Sequence, residues 1–392
     1  MNETAKAHGL DGSLVQPDWP PLTLDEVSTL LANIPSAGDP LEILSASPRP
    51  FSAASIVRTR REKVFVKRHA RAVRNAEGLM EEHRFMEHLR ANGVGVPPIF
   101  AADSGNTAIE IGEWTYEVHG IAAGLDLYED AISWTPFQSV EHASSAGEML
   151  ARLHLAAESY GAPARKPRPL VASFTIFASQ DAREALEQYL AARPELDQDA
   201  QTRSDCEEAL TLLAPFHDEL KPILPSLHPL WTHNDLHASN LFWSDTTPHA
   251  RATAIIDFGL ADRTNAVYDI AQAIERNIVV WLVLMRDPKC GEEVPVHLDH
   301  LRAMLDGYEQ VRPLSEAEAA ALAPMLALSH VEFALTEAHY FLGVLHSAEK
   351  ARVATNDYLV GHAQWFRGPG GRKLLDPLRR WAEAREGQAV RA

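Results

Sequence analysis

The chain has 392 residues, 46% hydrophobic and 23% charged, with only two cysteines. That composition excludes a collagen-like, largely disordered or disulfide-stapled protein and suits one bilobal unit or two to three domains. The formal charge of −18 excludes a general binder of nucleic acid or anionic membrane. Cys206 and Cys290 lack metal-site spacing, and the N-terminus lacks an apolar signal core. The strongest apolar run, Ile278–Met285, is eight residues long, short of the ~20 a membrane helix needs. A cytoplasmic protein is expected.

Residues 1–40 read as a polar leader and a short helix, which Thr23-Leu-Asp-Glu26 opens as a capping box. Residues 41–119 read as a small α+β lobe. Ile43, Leu44, Ile56, Val57 and Val64–Lys67 mark two or three antiparallel strands. Ala76–Ala91 follows a helical period through Leu79, Met80, Phe85, Met86 and Leu89. Thr107–Ile111 and Thr115–His119 are two further strands. Residues 120–392 are mostly helical, with helices over Ala143–Ser159, Ala182–Ala192 and Ser204–Leu220. A second capping box, Ser315-Glu-Ala-Glu318, opens a helical stretch through Leu345. Segments 160–172 and 366–373 read as loops. Charge is uneven: residues 1–119 carry −4 and 120–392 carry −14, while 56–74 holds eight basic residues and one acid. That basic run is either a solvated hairpin surface or a place for polyphosphate. The acidic body favours a cationic or amino-bearing partner.

The chemistry gathers in 231–269. His233-x-Asp235-x4-Asn240 is followed by the apolar strand Ala254-Ile255-Ile256, which delivers Asp257-Phe258-Gly259. Two carboxylates and an amide are hard oxygen ligands suited to Mg²⁺. Phosphoryl transfer needs such a set, a carboxylate to orient the attacking hydroxyl, and a lysine for the nucleotide phosphates. Lys67, ending the run Val64–Val66, is a credible lysine, and the next helix can offer Glu82 as its ion-pair partner. His233 and His237 are four apart, but no third ligand of good spacing supports zinc.

This arrangement resembles the protein-kinase-like fold, and more closely the aminoglycoside phosphotransferase and choline/homoserine kinase family. His233-Asn234-Asp235-Leu236-His237-Ala238-Ser239-Asn240 stands where that family has H-G-D-L-H-x-x-N. Tyr268-Asp269-Ile270-Ala271 stands at its Tyr-Asp-Leu-Ala box, and 148–154 (EMLARLH) is similar to its helix after the hinge. The likeness covers about residues 40–345. It implies a bilobal fold: an antiparallel-sheet N-lobe with one main helix (41–119) and a larger helical C-lobe (120–392). It implies ATP and Mg²⁺, with Asp235 orienting the hydroxyl of a small molecule and Asn240 and Asp257 holding the metal. Lys67 and Glu82 would serve the nucleotide phosphates, and the backbone of Glu117, Val118 and His119 would serve the base. His233 and Asp269 would support the loop. No glycine-rich loop precedes Lys67; the turn Arg49–Ser55 would cover the phosphates, through Ser52 and Ser55. No A-P-E segment follows Gly259, which argues against ordinary protein phosphorylation.

Acceptor candidates are His237, Asp262 and the stretch 329–340. There Glu332 and His339, two helical turns apart, share a face that Glu337 does not. A stress-type Ser/Thr protein kinase and a nucleotide-binding pseudokinase scaffold are the alternative readings.

Overall fold

The protein is described by a computed structural model covering residues 18–47, 50–286 and 293–389. Most of the leader (1–17), Arg49 of the covering turn and Cys290 lie outside these residues.

Thr23 caps α1 (Leu24–Leu31) in a complete capping box: its hydroxyl accepts from Glu26 N at 3.2 Å, and the Glu26 carboxylate accepts from Thr23 N at 3.3 Å. This helix is not a detached leader. Its buried Val27, Leu30 and Leu31 pack with Val57, Val64, Val66 and Val118 of the sheet. The sheet comprises β1 (Pro40–Ala46), β2 (Ala53–Thr59), β3 (Lys63–Ala70), β4 (Ala108–Ile111) and β5 (Trp114–Gly120). It is antiparallel throughout, in the order β1-β2-β3-β5-β4. Alternation puts Val64 and Val66 of β3 toward α1, so Phe65 and Lys67 face the other way. On that side lies α2 (Ala76–Ala91), capped by Asn75, whose Phe85, Met86 and Leu89 join the main core of the second lobe.

The basic run 56–74 is no free cationic patch. Arg60, Lys67, Arg68, Arg71 and Arg74 pair with Asp39, Asp257, Glu26, Glu110 and Glu82 at 2.7–3.4 Å, and Arg58 pairs with Glu42.

The second lobe begins with α3 (Val140–Ala157), α4 (Ala182–Ala191), α5 (Pro194–Asp197) and α6 (Ala200–Leu220). Two short antiparallel ribbons follow: β6 (Pro229–Thr232) with β9 (Asp262–Asn265), and β7 (Leu241–Trp243) with β8 (Ala252–Ile255). Then come α7 (Ala266–Ile278), α8 (Trp281–Arg286), α9 (Leu298–Val311), α10 (Glu316–Leu328), α11 (His330–Gly343), α12 (Ala348–Arg352), α13 (Gly361–Arg367) and α14 (Pro369–Ala389). α3 and α9 touch backbone to backbone. A Cβ on Gly147 would sit 2.0 Å from Met304 O, and one on Gly307 would sit 2.1 Å from Ser144 O.

Two expectations change here. The segment 366–373 is not a loop: only Gly368 interrupts the helices. Pro369 starts α14, where its missing N–H and fixed φ are favourable. Gly371 lets this turn lie against Phe366, whose carbonyl oxygen would be 2.3 Å from a Cβ. The apolar run Ile278–Met285 is also not the most membrane-like segment. The helical stretch Glu316–Gly343 passes for a span by length and composition, but 94% of its apolar window is buried within the protein.

Candidate active site

β6 delivers the chain into the 233–240 loop, and Asp269 on α7 holds it there. One Asp269 oxygen accepts from His233 N at 2.8 Å and from His154 Nε2 at 3.0 Å; the other accepts from Asn234 N at 2.8 Å. Burial opposes ionisation of Asp269, but these donors outweigh it and hold its carboxyl below the usual range. His233 Nε2 contacts Ile256 O at 3.0 Å, and its Nδ1 accepts from Asp235 N at 3.2 Å. The loop is thereby tied both to α7 and to Ile256, between the end of β8 and Asp257. Asn234 and Asp257 have φ of +62° and +61°, a left-handed conformation uncommon outside glycine. Surrounding bonds impose it at Asn234, whose side chain accepts from Thr232 Oγ1 at 2.7 Å and donates to Leu260 O at 3.1 Å.

Asn240 Nδ2 donates to the Asp235 carbonyl at 2.9 Å and to Asp235 Oδ2 at 3.3 Å, and Asn240 O accepts from Ile256 N at 3.0 Å. Asn240 therefore flanks the residue preceding Asp257, and its amide oxygen takes no part in these bonds. An amide oxygen and a carboxylate are donors of the kind that hold a hard divalent cation such as Mg²⁺.

Lys67 Nζ lies 3.1 Å from Asp257 Oδ1 across the cleft between the lobes. Burial would raise the Asp257 pKa, but the lysine overrides it, to about 2. The expected Lys67–Glu82 pair is not formed. Glu82 Oε1 accepts from Arg74 Nε and Arg165 Nη2, both at 2.8 Å. These buried guanidiniums reach Glu82 from the turn after β3 and from the 160–172 loop, so the lysine turns to Asp257. Both arginines also donate to the Gly259 carbonyl, at 2.7 and 3.2 Å, which links α2 to the Asp-Phe-Gly turn. Glu81 contacts Arg165 Nε and Arg168 Nη2, each at 3.4 Å.

Glu117, Val118 and His119 lie inside β5, not beyond it. Glu117 pairs with both Lys67 and Ala108 in register, Val118 O accepts from Phe100 N at 2.8 Å, and Gly120 N donates to Pro98 O at 2.8 Å. The 117–119 backbone is therefore already paired, with β3 and with residues 98–100. Ser55 pairs with Val66, on the α1 side of the sheet and away from Lys67; Ser52 is buried just before β2. The turn preceding β2 is held by its neighbours. Phe51 packs edge-on against Tyr340 of α11, with ring centroids 5.1 Å apart. Asp18 N donates to Pro50 O, and the Asp18 carboxylate takes the Tyr340 hydroxyl at 3.0 Å and Lys350 Nζ at 2.7 Å.

The acceptor candidates separate. Glu332 receives Thr175 Oγ1 at 3.1 Å, Ile176 N at 2.7 Å, and also Ser173 Oγ and Thr175 N, so it organises the 173–176 loop. His339 faces Glu195 at 3.5 Å. Asp262 accepts from Arg165 N and Arg263 N, both at 2.7 Å; burial nonetheless pushes its pKa up to about 6. His237 bonds to Ser239 Oγ at 2.8 Å, with Nε2 3.8 Å from Asp235. Glu337 lies on the other face of α11, in the field of Arg276 and, more weakly, of Asp235; burial pushes its pKa up to about 8.

Sequence reasoning missed Arg276. It is fully buried, donates from Nε to Asp235 Oδ1 at 2.7 Å and from Nη1 to Gln272 at 2.6 Å and Glu275 at 3.1 Å, and lies over the Phe333 ring. A signal existed: Arg276 is seven residues, two turns, beyond Asp269 on one helix face. Arg165 gave none, because its loop has no period.

Comparison with known proteins agrees with this fold. The chain is 31% identical over 222 residues to a homoserine kinase of Rhodospirillum rubrum (strain ATCC 11170 / ATH 1.1.1 / DSM 467 / LMG 4362 / NCIMB 8255 / S1), covering 56% of this chain but only 58% of that protein. A microcompartment-associated aminopropanol kinase superposes with a TM-score of 0.56 at 18% identity, over 91% of this chain and 99% of the other. An amicoumacin kinase in complex with AMP-PNP, Ca²⁺ and Ami superposes at 0.53 and 16% identity, over 88% and 92%. The profile described as "Phosphotransferase enzyme family" matches residues 51–314, about two thirds of the chain, and the protein belongs to that family.

Proposed function

We propose that the protein transfers the γ-phosphoryl group of ATP to a hydroxyl of a small, amino-bearing molecule. The observation that carries the reading is the convergence of Asp235, Asn240 and Asp257 on one loop-and-ribbon frame, with Lys67 reaching Asp257 from the other lobe. Asn240 and Asp257 would hold Mg²⁺, which when bound neutralises charge on the phosphates. Lys67 releases Asp257 to contact the nucleotide phosphates. Asp235 accepts the hydrogen bond of the acceptor hydroxyl and aims it in line; Arg276 fixes the Asp235 rotamer, so that positioning does most of the work. The Asp269 and His233 bonds keep the loop in that shape.

The acceptor class rests on the acidic second lobe and on the names of the relatives: homoserine and aminopropanol each carry an amine and a hydroxyl. The test is ADP release with Mg·ATP against homoserine, aminopropanol, choline, hydroxylysine, amino sugars and aminoglycosides. Turnover on one acceptor, absent in Asp235→Asn while nucleotide still binds, is the expected result. Full turnover in that variant would remove Asp235 from its role.

A further inference from the structure

Away from the catalytic loop, three imidazoles close on one buried carboxylate. Glu117 Oε2 lies 2.7 Å from His83 Nε2 of α2 and 2.8 Å from His119 Nε2 of β5. Its Oε1 lies 2.8 Å from His69 Nε2 of β3. All four residues are at most 8% exposed. Lys67 bonds to Asp257 and not to Glu117, its cross-strand neighbour, so the carboxylate is left to the histidines.

The chemistry of the cluster is that of a ligand set. A buried carboxylate can be satisfied by fewer donors; here three separate positions present the same ring nitrogen to it. The ligand atoms of His83, Glu117 and His119 all lie within 4.8 Å of one another. The outer nitrogen of His83, Nδ1, is 2.8 Å from Thr107 Oγ1, the kind of outer partner that orients a metal-binding imidazole. Two imidazoles and a carboxylate suit Zn²⁺ and its neighbours, whereas Mg²⁺ prefers oxygen alone.

We propose that His83, Glu117 and His119 form a binding site for a zinc-type dication, with His69 holding the second Glu117 oxygen. Metal–ligand lengths of about 2.0–2.2 Å place neighbouring ligand atoms of a tetrahedron roughly 3.4 Å apart. Entry of the ion therefore widens the two histidine–glutamate contacts by about 0.6–0.7 Å. Each liganding imidazole binds as the neutral ring through Nε2 and carries its proton on Nδ1, which in His83 donates to Thr107. The ion ties α2 to β5 one residue from Glu82, and a water completes the tetrahedron around the three protein ligands.

The test uses the full chain, stripped with chelator and titrated with Co²⁺. Expected are stoichiometric binding with intense tetrahedral d–d bands, displacement by Zn²⁺ but not by Mg²⁺, and a thermal midpoint raised by Zn²⁺. His83→Gln and Glu117→Gln should abolish the bands. His69→Gln should weaken binding about 10- to 100-fold. His297→Gln, in the partly exposed His297–Asp299–His300 group, should leave it unchanged. Absence of the bands, or bands that survive His83→Gln, would reduce the cluster to a hydrogen-bonded network. Should the variants not fold, imidazole ¹⁵N spectra of the unmodified protein decide: Zn²⁺ must shift the Nε2 signals of His83 and His119, and unchanged signals overturn the site.

Discussion

Replacing Arg276 by methionine keeps a stem that packs on Phe333 but removes the charge. Two carboxylates then lose their cation. The Asp235 side chain is 18% exposed and can recover water, whereas Glu275 is 1% exposed and cannot. Breaking a buried pair from one side costs about 3–5 kcal/mol. Glu275 keeps Tyr358 and His362, each at 3.2 Å, so the lower end, about 3 kcal/mol, is expected in urea unfolding. Turnover should fall separately, because Asp235 Oδ1 loses its 2.7 Å bond and with it its aim; a misplacement of that order costs about 100-fold. Nucleotide KM should not move, since Arg276 bonds to neither Lys67, Asn240 nor Asp257. Arg276→Lys should recover part of kcat. A folded Arg276→Met protein with kcat within about three-fold of the parent would refute the positioning role, whatever its stability.

Glu337 has its pKa pushed up to about 8 by burial, against an ordinary value of 4.5. The folded state therefore keeps a proton that the unfolded chain releases, so Glu337 lowers stability as pH rises from about 4.5 to 8, by a few kcal/mol at most. Glu337→Gln should be flatter than the parent over that window in pH-dependent melts; parallel curves would exclude the buried acid. Glu332→Ala should cost about 3 kcal/mol or more by orphaning buried donors around 173–176, and acceptor KM should change only through that loop; a selective KM effect with intact stability would instead make Glu332 an acceptor ligand. Gly147→Ala should destabilise by about 3 kcal/mol or more, because its Cβ would lie 2.0 Å from Met304 O in a backbone contact that cannot yield; an unchanged urea midpoint would contradict the α3–α9 packing.

Local signals read well from the chain alone. Both capping boxes, the α2 span Ala76–Ala91 and the five strands of the first lobe follow from periodicity and from side chains reaching three residues, and such interactions are already present in short segments. The loop, strand and turn that carry Asp235, Asn240 and Asp257 were legible for the same reason: they lie in a row along the chain. Tertiary structure decided what depends on distance between remote segments. Glu82 bonds to Arg165, 83 residues away, and not to the lysine its helix position suggested. Glu332 turned from a cleft residue into the organiser of a loop 157 residues earlier. Ser55 turned to the α1 side and the 117–119 backbone to the sheet interior, because strand order and sheet face are not local properties. A charged side chain takes whichever opposite charge the fold leaves within about 3 Å in a dry interior, and only the packed chain determines which one that is.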